Sequence, residues 1–486
     1  MSTDKSFDSH KTNKDKSIPD VELLTAFRLG LFNMGLGLMS VLTLAVLNRV
    51  MISELTIPAT ITAGTIAVSQ FVAPARVWFG QLSDAKPLFG THRTGYVRLG
   101  TILFGLSVFL ALQVVWQLGD TVRANNGWIA NEATIGLTVL LGAIFAVYGL
   151  AISCSSTPFT ALLVDVSEEE NRSKIVAIVW SMLMVGIVIG GISGSIILKQ
   201  IQQVEGDRVV QTSLEILKSS LNSVFIIAPV IVLVLAIIAT WRIEKKYSRF
   251  ASRSSFIERE DSISLSNALK ILTASPQTGL FFSFLAMMTI SLFMQEAVLE
   301  PYGGEVFQMS IAETTKLNSF WGIGILIGYS TTGFLVIPHL GKKRTTKIGC
   351  ILVVICFGLI ILTGFTQQPT VLRAAMVLFG ITTGVATIGG ISLMLDLTAA
   401  ETAGTFIGAW GLAQAMSRAL ATVTGGVVLD IGKEIFAAPL LAYSLVFGLQ
   451  AVGMILATLI LDRVNVSEFQ ANTKAAIATV MESDLE

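Results

Sequence analysis

The side chains of this chain that could do chemistry are ionisable and amide groups set inside, or at the ends of, long apolar runs. A charge in hydrocarbon costs several kcal/mol unless it meets protein, water or the interface, so each such residue is a functional candidate. Asn48 and Arg49 close the first run, and Gln295, Glu296, Glu300 and Tyr302 close the seventh. Glu296 and Glu300 are four apart and share a helix face. These positions predict a gate in which Arg49 approaches the two carboxylates, with interfacial snorkelling of Arg49 as the competing account. Gln414 and Arg418, also one turn apart, fall well inside the eleventh run. Arg418 must therefore face a partner such as a carbonyl or Gln70, or a ligand. At the other end of the molecule Arg76, Gly80 and Asp84 bracket the end of the second run, and Asp165 and Asp396 end the fourth and tenth.

Other chemistries find no support. No phosphate-cradling loop of the Gly-x-x-x-x-Gly-Lys-Ser/Thr kind occurs, and His10, His92 and His339 all lie outside the middle of a run. Cys154, Cys350 and Cys356 sit in apolar context without zinc-like spacing, which predicts packed thiols. The reading is a protein that is not an enzyme and carries no metal centre. Formal net charge is zero, so no bulk field points to nucleic acid.

The elements that position these residues are twelve apolar runs at 24–47, 58–79, 97–116, 134–155, 174–198, 221–241, 278–302, 317–337, 348–365, 371–397, 405–429 and 440–461. About 20 residues of helix cross a bilayer core. With 53% hydrophobic and 14% charged residues, and a mean hydropathy of +0.73, the chain reads as an all-α polytopic membrane protein. Membrane lipids are its obligatory surroundings.

Alternate loops are basic, including Lys86, Arg93 and Arg98, then Arg172 and Lys174, then the stretch from Arg242 to Lys270, then Lys342, Lys343, Arg344 and Lys347. That asymmetry puts these loops and both termini on the cytoplasmic side. Five segments follow: a disordered tail at 1–22, a six-helix half at 23–241, a linker at 242–277 with an amphipathic surface helix, a second half at 278–461, and a tail at 462–486. The polar first twenty residues lack the apolar core of a signal peptide.

The halves repeat. TALLVDVSEEENRSK around Asp165 resembles ISLMLDLTAAETAGT around Asp396, 231 positions later, and the same shift carries Gly194 onto Gly425. Each copy predicts a capping box, Ser167 with Glu170 and Thr398 with Glu401. Parallel six-helix repeats are the pattern of major facilitator transporters. Gly80-x-x-x-Asp84 resembles the loop motif of that superfamily, although Ala85, Lys86 and Pro87 follow where an Arg and Gly are usual. Such a loop would stabilise one access state. Gly186, Gly190 and Gly194 recur every four positions and predict close helix packing.

One resemblance is more specific. QEAVLEPYGGEVFQMSIAETTKLNSFWGIGILIGY, from Gln295 to Tyr329, and above all its LEPYGGEVF core, is similar to the PucC or bacteriochlorophyll delivery family of the major facilitator superfamily. RLGLFNMGLGLMSVLTLAVLNRVMISEL and FVAPARVWFGQLSDAKPLFGTHRTGYVRLGT agree with it. The resemblance implies work in a photosynthetic membrane, with a thylakoid favoured. It implies assistance to assembly of chlorophyll-binding antenna or photosystem apoproteins, with transient handling of chlorophyll or bacteriochlorophyll. Without a histidine in mid-run, Asn, Gln, Glu, a carbonyl or water would have to ligate the pigment magnesium. Proton-coupled transport of a small solute through Glu296, Glu300, Asp165 or Asp396, and a non-transporting scaffold, are the alternatives.

Overall fold

The computed structural model describes residues 20–202, 210–248, 276–309, 311–398, 403–469 and 471–472. Most of the two tails and most of the linker, including its expected amphipathic helix, lie outside these residues. Among those described, helices dominate and β-structure is limited to one isolated bridge between Leu88 and Thr91.

Among the described residues, eleven helices are long and apolar enough to cross a membrane. They occupy eleven of the twelve expected runs. The second run is a crossing in two pieces, Ala59–Phe71 and Ala75–Ala85. Pro74 has no N–H to donate, and Ala73, Ala75, Arg76 and Val77 instead bond to carbonyls three residues back. Several crossings exceed their apolar runs. Span three covers Thr94–Ala124, span four Glu132–Val166 and span five Glu169–Gln202. A helix need not stop where hydrocarbon stops, because its own bonds satisfy the backbone in either medium. Span six is Val210–Thr240, followed by the short helix Ile243–Tyr247. Span seven, Pro276–Phe293, tightens to a 3₁₀ turn at Met294–Ala297 before Leu299–Phe307. Span eight begins at Ile311–Thr331, and spans nine to twelve are Lys342–Thr366, Pro369–Asp396, Ala403–Ile435 and Pro439–Arg463. Span one opens with Leu23–Val41 and continues through π-helical turns to Glu54.

Packing follows a two-fold scheme. The second piece of span two packs on span eleven, and its counterpart span eight packs on span five. Span four likewise meets span eleven, as span ten meets span five. The first piece of span two packs chiefly within its own half, on span four. Gly186 and Gly190 serve packing inside the first half: a Cβ on Gly186 would lie 2.0 Å from the Met34 carbonyl of span one.

The capping boxes are displaced. Span five begins at Glu169, and the carbonyl of Glu168 accepts the first helical bond from Arg172 N, which makes Glu168 the cap. The Ser167 hydroxyl accepts from Arg172 Nε at 2.9 Å. In the second copy Thr398 Oγ1 donates back to the Met394 carbonyl, so it closes span ten. Glu401 lies outside the described residues. Arginine competes successfully for the serine because its charged fork bonds more strongly than a neutral amide.

Candidate functional site

Two ion clusters sit at the end of the bundle that carries the basic loops, one at each repeated aspartate. At the first, Arg93 precedes span three and is fully buried. Its Nε donates to Asp165 Oδ2 at 2.8 Å, and its Nη1 donates to Asp84 Oδ1 and Ser83 Oγ at 2.7 Å each. Burial alone would disfavour the guanidinium, but Asp165 and Asp84 outweigh it and hold the pKa above its usual value. Asp84 reaches further, into the other half. Its carboxylate accepts from Gly404 N, Thr405 N and Thr405 Oγ1, all at 2.9 Å. It thereby sits on the positive end of the helix dipole of span eleven.

The second cluster is built on Asp396. Arg172 of span five crosses between halves and donates from Nη1 to Asp396 Oδ1 at 2.6 Å and to the Leu395 carbonyl at 3.1 Å. Lys342, first residue of span nine, binds the other carboxylate oxygen. It also donates to the Glu169 carbonyl at 2.7 Å. Arg93 and Lys342 thus occupy equivalent places, each at the start of the third helix in its half.

Glycine brings the halves together. A Cβ on Gly80 would lie 2.0 Å from the Gly404 carbonyl oxygen. One on Gly408 would lie 2.3 Å from the Arg76 carbonyl, and the Arg76 guanidinium runs along Gly411. On the equivalent seam a Cβ on Gly333 of span eight would meet Ser173 and Ala177. This end is shut by backbone contact as well as by charge.

Glu244, from the short helix after span six, completes the fastening. It accepts from His92 N, Arg93 N and Thr94 N, and so caps span three with a carboxylate. His92 Nδ1 lies 3.3 Å from the Ser83 carbonyl. Burial, then the neighbouring Arg93 charge, lowers the His92 pKa from its ordinary value. The unfolded chain therefore takes up this proton first as pH falls below about 6.5, and stability falls with it. A His92→Gln variant is expected to lose less thermal stability than wild type between pH 8 and pH 5.5. Equal losses in a melting series would remove His92 as the sensor.

The opposite end is looser. Arg418 donates to Glu296 through Nη2 at 2.5 Å and Nε at 3.2 Å, and lies over the Phe293 ring at 4.6 Å. The pair is not enclosed by protein, with side chains 56% and 27% exposed. Arg418 therefore meets a carboxylate of span seven, and neither Gln70 nor a carbonyl takes that role. Glu296 is held from span eleven. The side chains of Arg49 and Glu300 lie outside the described residues, so the expected Arg49 contact does too.

Two gate candidates are core residues. Tyr302 is fully buried, donates to the Ile360 carbonyl at 2.9 Å and packs on Phe307, Tyr443 and Phe447. A phenol can occupy an apolar core when its hydroxyl finds a carbonyl. Gln295 is 2% exposed, and its amide atoms have no partner among the described residues. Asn48 and Gln414 are half-buried. Arg172, Lys342, Glu244 and the pairing role of Arg93 were not singled out from sequence, where they read as loop charges. Their one signal was position, each beside a helix start. Among the described residues no group of three or more His, Cys, Asp or Glu could hold a metal ion, and all three cysteines are free and buried.

Comparison with known proteins adds the lineage. The family described as PUCC protein matches residues 46–469. Protein PucC of Rhodobacter capsulatus is 28% identical over 423 residues, covering 86% of each chain. The bacteriochlorophyll synthase 44.5 kDa chain of the same species is 28% identical, covering 94% of this chain and 98% of that one. Among solved structures, the major facilitator superfamily transporter FucP in the outward conformation aligns with a TM-score of 0.66 at 13% identity, over 90% of this chain and 97% of that one. The fold is the major facilitator fold.

Proposed function

This chain belongs to the PucC family of the major facilitator superfamily, and from that premise we propose that it is an integral membrane assembly factor for chlorophyll-binding light-harvesting or photosystem proteins. The single observation that carries the reading is the family match from residue 46 to residue 469, with relatives aligned over most of their own length. The proposed site is a cleft between halves that is shut at the basic, cytoplasmic end and accessible from the other. The two aspartate clusters act as its latch, and rocking of the halves exposes the cleft alternately.

The pigment, chlorophyll or bacteriochlorophyll, supplies light absorption to the finished complex, and the chain would hold it only in passing. Magnesium takes oxygen donors readily. Asn48 of span one and Gln414 of span eleven offer half-buried amide oxygens, whereas Glu296 is engaged by Arg418. No histidine lies in the middle of a span. This donor set supports handover over storage.

The test is purification of the full chain in mild detergent from cells assembling pigment complexes, with pigment extraction and identification of co-purifying proteins. Antenna or photosystem apoproteins are the expected partners, with pigment at substoichiometric levels. Finding neither would overturn the reading.

Proton-coupled solute transport is the second reading, and the exposed Glu296–Arg418 pair, a carboxylate and a guanidinium joining spans seven and eleven, favours it. A Glu296→Gln variant separates the two. An exposed pair contributes about 0–1 kcal/mol, so folding is expected to persist. An assembly factor keeps its pigment-complex yield in this variant. A proton symporter loses its pH-driven uptake.

A further inference from the structure

Spans three and six meet the bilayer with a two-part cavity outside the latch. At the basic end, a cavity of about 500 Å³ is lined by Phe89, Arg98, Trp241, Arg242, Glu244 and Lys245, among others. Directly above it a groove of about 320 Å³ runs between the same helices, lined by Leu106, Phe109, Ile226, Pro229 and Leu233. Ile102 lines both, so the polar chamber and the apolar groove adjoin. Gly105 maintains the close approach, since a Cβ there would lie 3.0 Å from Pro229.

The chemistry changes sharply along this path. In the lower chamber Arg98, Arg242 and Lys245 face one carboxylate, Glu244, which is already committed to three backbone N–H groups. Arg98 is held in place, its Nε donating to Thr240 Oγ1 at 3.1 Å. Arg242 and Lys245 are exposed, and Arg28, outside the lining, holds the Trp241 carbonyl. The chamber thus carries surplus positive charge. Trp241, 56% exposed, is of the amphipathic kind that marks the membrane interface, and the 78% exposed ring of Phe89 lines the same chamber. The groove above is almost wholly apolar, and the hydroxyl of Thr101, which also lines it, is committed to the Val97 carbonyl. Arg98 to Phe109 is eleven residues of helix, about 16 Å, close to half of a ~30 Å hydrocarbon core.

We propose that this is a site for an anionic membrane lipid, with the phosphate or sulfate headgroup among Arg98, Arg242 and Lys245 and one acyl chain in the groove between spans three and six. Basic pockets between membrane helices recognise such headgroups. One leaflet is the depth that the groove accommodates. The site binds at the helix pair that Glu244 fastens to the latch, so its occupancy bears on the latch without any of its cations belonging to it.

Native mass spectrometry of the full chain, titrated with phosphatidylglycerol or phosphatidylcholine, tests this. Phosphatidylglycerol is expected to be retained preferentially. Replacing both Arg98→Gln and Arg242→Gln should weaken it about tenfold or more, at roughly 1 kcal/mol per cation. Lys433→Gln, at the far end of the bundle, should leave it unchanged. Because Arg98 also tethers Thr240, Arg242→Gln alone serves as the variant that cannot fail through folding. Ile226→Trp, which fills the groove, should weaken phosphatidylglycerol binding while the basic chamber stays intact. Equal retention of the two lipids would overturn the proposal. So would displacement by glycerol 3-phosphate at matched concentration, which would assign the chamber to a free phosphate.

Discussion

Replacing Arg93 with glutamine is expected to cost this protein more stability than any other single change among its ionic residues. The substitution leaves Asp84 and Asp165 buried without their shared cation. Removing one partner of a buried ion pair costs about 3–5 kcal/mol, a large part of the ~5–15 kcal/mol that holds a typical domain together. Arg93→Lys should be intermediate, because an ammonium restores charge but cannot span Nε and Nη1 contacts to two carboxylates at once. Melting in detergent and the yield of monodisperse protein read the effect. A destabilisation of less than about 1 kcal/mol for Arg93→Gln would show that water screens this cluster as it screens a surface pair.

A second large effect is expected at Gly80, and it concerns conformation rather than folding. A valine there must displace the Gly404 backbone, which has no flexible side chain to move aside. Overpacking of this kind costs about 1–3 kcal/mol. That cost falls only on the state in which spans two and eleven touch, so the population with the basic end open should rise about 5–150-fold. Spin labels on Lys86 and Arg344, both exposed and in different halves, would report longer separations. The native cysteines are buried and should not compete for label. Unchanged distances in Gly80→Val would mean that the glycine contact does not govern closure.

The architecture was largely legible because lipid imposes one rule, an apolar helix of sufficient length, and eleven of the twelve runs obeyed it. The break in span two was written in Pro74, yet hydropathy averages over a proline. Asp165 and Asp396 were found because the repeat preserves their spacing of 231. Their cations were hidden by the same arithmetic: Arg93 and Lys342 are equivalent in space but 249 positions apart, since spans three and four are longer than spans nine and ten, with 72 residues from Arg93 to Asp165 against 54 from Lys342 to Asp396. Glu296 and Arg418 were both recognisable as misplaced charges, but not as partners. A helix face is readable from spacing, whereas the neighbour that covers it depends on how the helices pack. The burial of Tyr302 was hidden for that reason, since the Ile360 carbonyl that accepts its hydrogen bond is 58 residues away.

The pairing around the two aspartates has a bearing on what happens when the halves part. Asp84 leaves with Arg93, and Asp396 leaves with Lys342, because each of those pairs belongs to a single half. Asp165 also keeps Arg93. Of these six side chains only Arg172 loses its counterion, and it moves into water, where a guanidinium is well solvated. The first half then carries Arg93 and Arg172 against Asp84 and Asp165, and the second carries Lys342 against Asp396. Within this network parting of the halves would separate no net charge, while Arg76, whose guanidinium lies along Gly411 of the other half, would add a positive charge to the face of the first half.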